Sequence, residues 1–441
     1  MSEQPFAAPT AAAQPSATSV SSSVSNVVIR TETLGKIAMA PLRIAHLTAT
    51  FPPYLGGTGN VCYYSARELA RRGHDVHVST VVVEGAPAQE IRESISIHRL
   101  QPLVQVGNAP LIPQQFFYLD GFDIIHLCYP IFGGESATLA GRWKRMPLII
   151  TYHQDVHQTG WLGVMATALQ KTLGRLTLRS AKKVLFTSAD FGKESYVQPM
   201  LKGRAAAVGE LANGVDPEFF LSGRTGYRSA RALWISSGRL DCTIGCCVGS
   251  RAHYFKGVNV LLQALTILPT HVKAVIVGDG DLRAHYAMQA IEVGIGDRVM
   301  FAGRVSDTNL VDDYRLADIT VLPSITMAEA LGIVLVELLA CATPVIASNL
   351  PGVRTVIADG VDGYLVTPGD VGDLASRLDR FLNQSAAERF AMGPDGRRKV
   401  EAHYSWERIG DLLEELHAQV TGQSPNRVLV GDRSTPVEAG Q

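Results

Sequence analysis

The sequence predicts an α/β protein built from two doubly wound domains, each a parallel sheet covered by helices on both faces, with a cleft between the two. Three observations carry this. Short apolar runs alternate with helical stretches along nearly the whole chain, the order expected of repeated strand–helix–strand units. The apolar runs are mostly continuous, as strands buried on both faces require. The alternation lapses over residues 221–240, an irregular stretch of Gly, Ser, Arg and one Trp, so the runs fall into two sets of similar size.

Residues 1–40 are rich in Ala, Ser, Pro and Thr without periodicity and read as a disordered tail. Order begins at LRIAHLTA, 42–49, followed by the loop FPPYLGGTGN and a helix over 61–72 with Gly73 as its C-terminal punctuation. Further strands are expected at 75–83, 94–100, 123–128, 147–153, 183–189 and 206–212, with helices near 134–145 and 163–181. After the linker come strands at 242–249, 271–278, 298–303, 318–324, 343–348 and 363–366. Helices are expected there at 258–267, 281–294, 308–316, 332–341 and 371–383. A last helix starts near Ser405, a good N-cap, and carries Trp406, Ile409, Leu412, Leu413 and Leu416 at helical spacing. The expected partition is a tail at 1–40, a first domain at 41–220, a linker at 221–240, a second domain at 241–400, a helix within 401–421 and a tail at 422–441.

The 441 residues carry 40 Lys and Arg against 41 Asp and Glu, a formal net charge of -1. That argues against a nucleic-acid binder, whose footprint would be basic. No apolar run reaches the ~18 residues of a membrane span, and the N-terminus lacks the charged start and apolar core of a signal peptide, so a cytoplasmic location is expected. Of the six cysteines, Cys62, Cys128 and Cys341 lie in apolar segments, as free buried thiols do. Cys242, Cys246 and Cys247 cluster at a spacing that fits no zinc pattern, so reduced thiols are expected throughout. No G-x-G-x-x-G follows the first strand, which disfavours a dinucleotide oxidoreductase.

The most informative segment is EALGIVLVE, Glu329 through Glu337, preceded by LPS and followed by LLACATPVIAS. Pro323 and Ser324 close a strand, Leu331-Gly332-Ile333 opens a helix, and Pro344 begins the next strand. A helix N-terminus presents unpaired amides and a partial positive charge, which suits a phosphate. With its apolar interior and the A-x-x-T-P-V continuation, the segment resembles the E-x7-E signature of retaining glycosyltransferases of family 4, which have the GT-B fold. The resemblance covers about residues 42 to 420.

The resemblance implies transfer of a hexose from a UDP- or GDP-sugar to a hydroxyl acceptor: a polysaccharide, a lipid-linked sugar or a small molecule. It implies a front-face route in which the departing phosphate takes the acceptor's proton, with no metal required. Glu329 is carried over as the ligand of donor-sugar hydroxyls at the reacting carbon, and Glu337 as the ligand of the ribose. Arg251 and Lys256, with the family's Arg-x4-Lys-Gly spacing, are carried over to the donor phosphates, with the amides of Leu331, Gly332 and Ile333 as the complementary cradle. His153, in ITYHQDVHQTG, matches a histidine that contacts the transferred group; His157 is its neighbour, and Asp155 is placed to orient an imidazole. Gly56 and Gly57 match a glycine loop that approaches the donor phosphate. Gly278, in VGDGDLR, and Arg304, in FAGRVSD, match loops near the base. Asp279-Gly280-Asp281 reads as a turn and helix cap, and Asn213-Gly214 as a turn at the cleft. The crossover of the last helix onto the first domain is implied too.

This chain departs from the pattern at Leu331 (usually Phe), at Ala342 (usually Gly), at Cys128 (often a second His in H-x-H, of which His126 remains) and at Ser250, which puts Arg251 one residue out of register. One charge feature stands apart. Between Asp155 and Asp190 there is no acidic residue, while Lys171, Arg175, Arg179, Lys182 and Lys183 occur. A basic amphipathic helix over 165–183 would suit peripheral contact with anionic membrane lipid at its inner face; a solvated outer face is the alternative. Other readings on the same fold are a nucleotide-sugar hydrolase or epimerase, and a non-catalytic nucleotide-sugar-binding protein.

Overall fold

The computed structural model describes residues 37–38, 40–54, 56–106, 109–131, 134–155, 168, 170–220, 243–249, 254–423 and 426–427. Most of both expected tails, the linker at 221–240, Ser250, Arg251, His157 and Cys242 lie outside them. Residues Met39–Pro425 form one unit. A second unit, Met1–Ala38 with Asn426–Gln441, contributes an antiparallel pairing of Ile37–Ala38 with Asn426–Arg427.

Eight strands of the larger unit form its first sheet: β1 Arg43–Leu47, β2 Asp75–Val81, β3 Gln89–Arg92, β4 Ile95–Leu100, β5 Ile124–Tyr129, β6 Leu148–Tyr152, β7 Lys183–Phe186 and β8 Val208–Glu210. Their order is β8-β7-β6-β5-β1-β2-β4-β3, parallel except for the antiparallel edge β3. Six more form the second, all-parallel sheet: β9 Thr243–Gly249, β10 Lys273–Gly278, β11 Val299–Gly303, β12 Ile319–Leu322, β13 Val345–Ser348 and β14 Gly363–Val366, in the order β11-β10-β9-β12-β13-β14. Each chain order reverses beside its first strand, and in such sheets ligands bind beyond the carboxyl ends there.

Each sheet separates two cores, because successive strand residues point to opposite faces. Ile124 and Ile149 belong to one core of the first domain, Ile125 and Ile150 to the other. In the second sheet Ile276 and Val321 lie on one side, Val275, Val277 and Leu322 on the other.

The last helix, Trp406–Thr421, begins after Ser405, whose side chain accepts from the Arg408 amide. It buries Trp406, Ile409 and Leu413 in the first-domain core that also holds Val61, Cys62 and Leu69 of helix Gly57–Arg71. The crossing is fixed where Val215 N donates to Tyr404 O (2.8 Å) and Trp406 N donates to Val215 O (3.0 Å). A Cβ on Gly214 would sit 2.7 Å from the Trp406 ring, so the glycine leaves room for this crossing. Among the described residues no helix is long and apolar enough to cross a membrane.

Some expectations need correction. Helix Gly57–Arg71 starts four residues before the expected Val61, inside the glycine loop. The basic stretch is not one helix to 183: its described residues include a π turn, Gln170–Gly174, and helix Arg175–Ser180, and Lys183 already belongs to β7. The chain stops being helical there because 183–186 pairs with β6 as a buried strand. Asp279 accepts from the Gly280 amide in a turn, but helix Arg283–Glu292 takes no side-chain cap from this segment.

Candidate active site

The carboxyl ends of the second sheet gather most of the residues singled out from the sequence. Beyond β9, the turn Tyr254–Lys256 is followed by Gly257, at φ +67°, where a Cβ would lie 1.9 Å from the Pro323 carbonyl. Only glycine allows that approach, and it sets Lys256 beside the end of β12. There Lys256 Nζ stands 2.5 Å from Glu329 Oε2, and Ser324 Oγ donates to the same oxygen at 3.1 Å. The Lys256 and Glu329 side chains are 14% and 12% exposed, so the pair is largely withdrawn from water without being sealed from it.

Glu329 lies in the loop between β12 and helix Ile333–Ala340. Gly332 caps that helix in the left-handed region, φ +74°, and its missing Cβ leaves space for Leu322 and Leu335. The first amides of any helix lack an intrahelical carbonyl, and Leu331, Gly332 and Ile333 follow Glu329 after one intervening residue, Ala330. Within the helix, Glu337 Oε2 accepts from Tyr314 Oη at 2.7 Å. Burial pushes the Glu337 carboxyl up to about 7; the Tyr314 hydrogen bond pulls it down and nearby Asp307 pushes it up. Tyr314 was not foreseen, since its helix, Asp307–Leu316, gives no sign in sequence of which carboxylate it faces.

The Glu329 loop is also seated against the first domain. Ala330 packs in the first-domain core that contains Phe191. A Cβ on Gly352, φ +87°, would lie 1.8 Å from the Ala330 carbonyl. Gly352 N donates to Asp190 Oδ2 at 2.9 Å, and Arg354 forks onto both Asp190 oxygens at 2.8 and 2.7 Å. The Arg354 guanidinium holds the Asp190 carboxyl below its ordinary value. Asp190 and Arg354 come from segments 164 residues apart and carry no local motif, so sequence reading passed over both.

His153 follows β6, its amide donating to Tyr129 O at 2.9 Å, and its ring is buried with Nε2 lacking a partner among the described residues. It lines a cavity with His46, His126, Cys128, Thr151 and Asn213. Asp155, placed from sequence as a partner for an imidazole, instead accepts from Tyr152 Oη (2.9 Å) and Ser195 Oγ (2.6 Å). It thereby ties the end of β6 to the end of helix Ala189–Glu194. Gly56 and Gly57 lie at the start of helix Gly57–Arg71, with open space where a Gly57 Cβ would be. Gly278, φ +127°, ends β10, and Arg304 is exposed just past β11. The structure thus joins Lys256, Ser324 and Glu329 directly, and Glu337 with Tyr314. His153 belongs to a separate cluster in the first domain, and Arg251 lies outside the described residues. A cation beside a helix N-terminus can take an anion, and flanking carboxylates can accept hydroxyl protons.

Comparison with known proteins bears on the family and the fold. The family described as Glycosyltransferase Family 4 matches residues 55–219, and that described as Glycosyl transferases group 1 matches residues 241–399. The chain is 26% identical over 415 residues to a D-inositol 3-phosphate glycosyltransferase of Xylanimonas cellulosilytica, covering 87% of this chain and 97% of that one. It is 26% identical over 387 residues to an uncharacterized glycosyltransferase of Methanocaldococcus jannaschii, covering 83% and 96%. Among solved structures, sucrose-phosphate synthase from Thermosynechococcus elongatus superposes with a TM-score of 0.67 at 24% identity, over 86% of this chain and 99% of that one. Anabaena HepE in complex with UDP and glucose gives 0.67 at 20% identity, over 85% and 99%.

Proposed function

The chain belongs to the family 4-like glycosyltransferases of the GT-B fold, and we propose that it moves a hexose from a UDP- or GDP-sugar to a hydroxyl acceptor with retention of configuration. The observation that carries this reading is the Lys256–Glu329 pair at the mouth of helix Ile333–Ala340. A diphosphate entering there meets Lys256 and the amides of Leu331, Gly332 and Ile333, donors already fixed where negative charge grows as the bond breaks. Lys256 exchanges one anion for another, and Glu329, released, accepts from hydroxyls of the donor sugar. Glu337 accepts from the ribose while Tyr314 holds its second oxygen. His153 contacts the sugar being moved.

In the proposed step the bond from the anomeric carbon to the phosphate oxygen breaks as the acceptor oxygen bonds the same face of that carbon. The acceptor's proton passes to the departing phosphate. No carboxylate acts as a nucleophile, unlike the two-step route of retaining glycosidases, and the route uses no bound metal, because Lys256 and the amides meet the charge.

A basic, partly apolar surface supports a membrane-proximal acceptor. Lys171, Arg175 and Lys182 are exposed, as are Leu173 (43%) and Leu176 (52%) between them, and Trp143 (79%) on helix Gly134–Lys144. Contact with anionic lipid at the inner membrane face fits this pattern.

The test is product analysis. Radiolabelled UDP-glucose and GDP-mannose are incubated with a panel of sugar, sugar-phosphate and lipid-linked acceptors. Label appearing in an acceptor glycoside of unchanged anomeric configuration supports the proposal. Free hexose alone would make the chain a hydrolase, and binding without turnover would make it a non-catalytic binder.

A further inference from the structure

The first domain buries a group of side chains that the transfer reaction does not use. His46, on β1, is fully buried, and neither of its ring nitrogens has a partner among the described residues. An unpaired buried polar atom forfeits its hydration and normally has an explanation. Cys62, on helix Gly57–Arg71, and Cys128, on β5, are buried free thiols. One ligand atom from each of His46, Cys62 and Cys128 lies within 4.8 Å of the others.

The fold makes this convergence. β1 pairs with β5 so that His46 lies opposite His126; Cys128, two residues on, shares that face. Helix Gly57–Arg71 covers the face and brings in Cys62. His126 stacks on His46, ring centroids 4.8 Å apart, while its own nitrogens meet Thr151 (2.7 Å) and His417 (3.3 Å). The His46 ring is thereby held in place with the Cys128 thiol as the group its nitrogens approach.

We propose that His46, Cys62 and Cys128 bind one zinc ion that fastens the glycine-loop helix to the first sheet. Nitrogen and two sulfurs are the ligand set zinc prefers, and Zn–N and Zn–S bonds require ligand separations of about 3.3–3.8 Å, a contraction of about 1 Å from the bound given above. Two thiolates and a neutral imidazole bring the dication to neutrality, which suits an apolar core. Binding releases two protons, one from each thiol, to solvent. The fourth position opens on the cavity that His153 also lines. The ion is structural and takes no part in the transfer step; because it shares a cavity with His153, its uptake is read apart from transfer activity.

The experiment is cobalt substitution in the full chain, refolded under reducing, chelator-treated conditions with Co(II). One equivalent of cobalt per chain, with thiolate-to-cobalt charge transfer and the strong visible bands of a four-coordinate ion, is expected. Zinc should displace it, raise Tm and protect two thiols from a thiol reagent. Cys62→Ser and Cys128→Ser should each abolish the charge-transfer band, whereas Cys341→Ala, buried elsewhere, should keep it. Folded wild-type chain that takes up no cobalt, a band that survives both serine variants, or recovery of Cys62 and Cys128 as a disulfide without metal would overturn the proposal.

Discussion

Lys256 Nζ and Glu329 Oε2, 73 residues apart in sequence, lie 2.5 Å from one another at the carboxyl end of the second sheet. The two residues assigned to opposite ends of a donor are partners here. Each neutralises the other in a largely buried place, so in the proposed reaction a diphosphate replaces the carboxylate at Lys256. Lys256→Ala should therefore weaken donor use and lower kcat/KM by roughly 10²–10³, the usual loss on removing one preorganised charge-stabilising donor. Steady-state kinetics against the nucleotide sugar measures it; unchanged kcat/KM would remove Lys256 from the site.

Glu337 sets a pH dependence. Its folded value of about 7 lies above the ordinary 4.5. A raised carboxyl binds its proton more tightly in the folded state, so its burial costs nothing below the unfolded value and destabilises progressively as pH rises through about 7. Glu337→Gln should gain stability relative to wild type with rising pH, by on the order of 1–2 kcal/mol at pH 8 after allowing for its partial exposure. Chemical denaturation at pH 5 and pH 8 checks this. In the proposed role Glu337 accepts from the ribose in its ionised form, so KM for the donor should rise as pH falls below about 7.

The Asp190–Arg354 fork ties the first domain to the segment packed on the Glu329 loop. Arg354 depresses the Asp190 carboxyl, so the stability it contributes is present above the ordinary carboxylate value and is lost as pH falls through the folded one. Both side chains are partly exposed, at 38% and 26%, and Arg354→Ala should cost only about 1 kcal/mol of stability. It should alter kcat and KM together, because the loop it steadies carries Glu329. Thermal melts and kinetics on one preparation separate the two effects.

Gly352→Ala is a sharper probe of the same contact. Its Cβ would meet the Ala330 carbonyl at 1.8 Å in a left-handed conformation, a strain of about 1–3 kcal/mol before the loop moves. The displacement should lower kcat far more than Gly360→Ala, at another positive φ with open space around it. Equal effects would show that the Ala330 contact does not position the loop.

Charge reversal at Lys171 and Arg175, both exposed, should abolish sedimentation with vesicles rich in anionic phospholipid while leaving UDP and GDP binding unchanged. Neutral vesicles should not bind wild type. Equal binding to both would contradict a charge-driven contact.

Much of the fold was legible because buried parallel strands write themselves as continuous apolar runs. Helix Ala386–His403 was not. Its packing face includes Gly393 and Gly396, whose Cβ positions fall 2.2 Å from the Ala342 carbonyl and 2.5 Å from Leu339. A face made of glycine leaves no hydrophobic period, and Pro394 reads as a breaker. The Ser385–Glu388 capping box was the available signal. Edge strand β3, Gln-Glu-Ile-Arg, is mostly exposed and polar, so it too escaped. In the site, Lys256 and the two glutamates were found through a motif. Tyr314, Asp190 and Arg354 act across long separations, and only the folded chain brings them to their partners.

Calorimetric titration of UDP and GDP into wild type, Lys256→Ala and Glu329→Gln tests the exchange at Lys256 most directly. The account predicts that one nucleotide binds wild type and that Lys256→Ala binds it at least ~10-fold more weakly. Glu329→Gln, relieved of a competing carboxylate, should bind it at least as tightly as wild type and yet fail to turn over donor. Equal affinity in all three proteins, or no binding of either nucleotide to wild type, would contradict it.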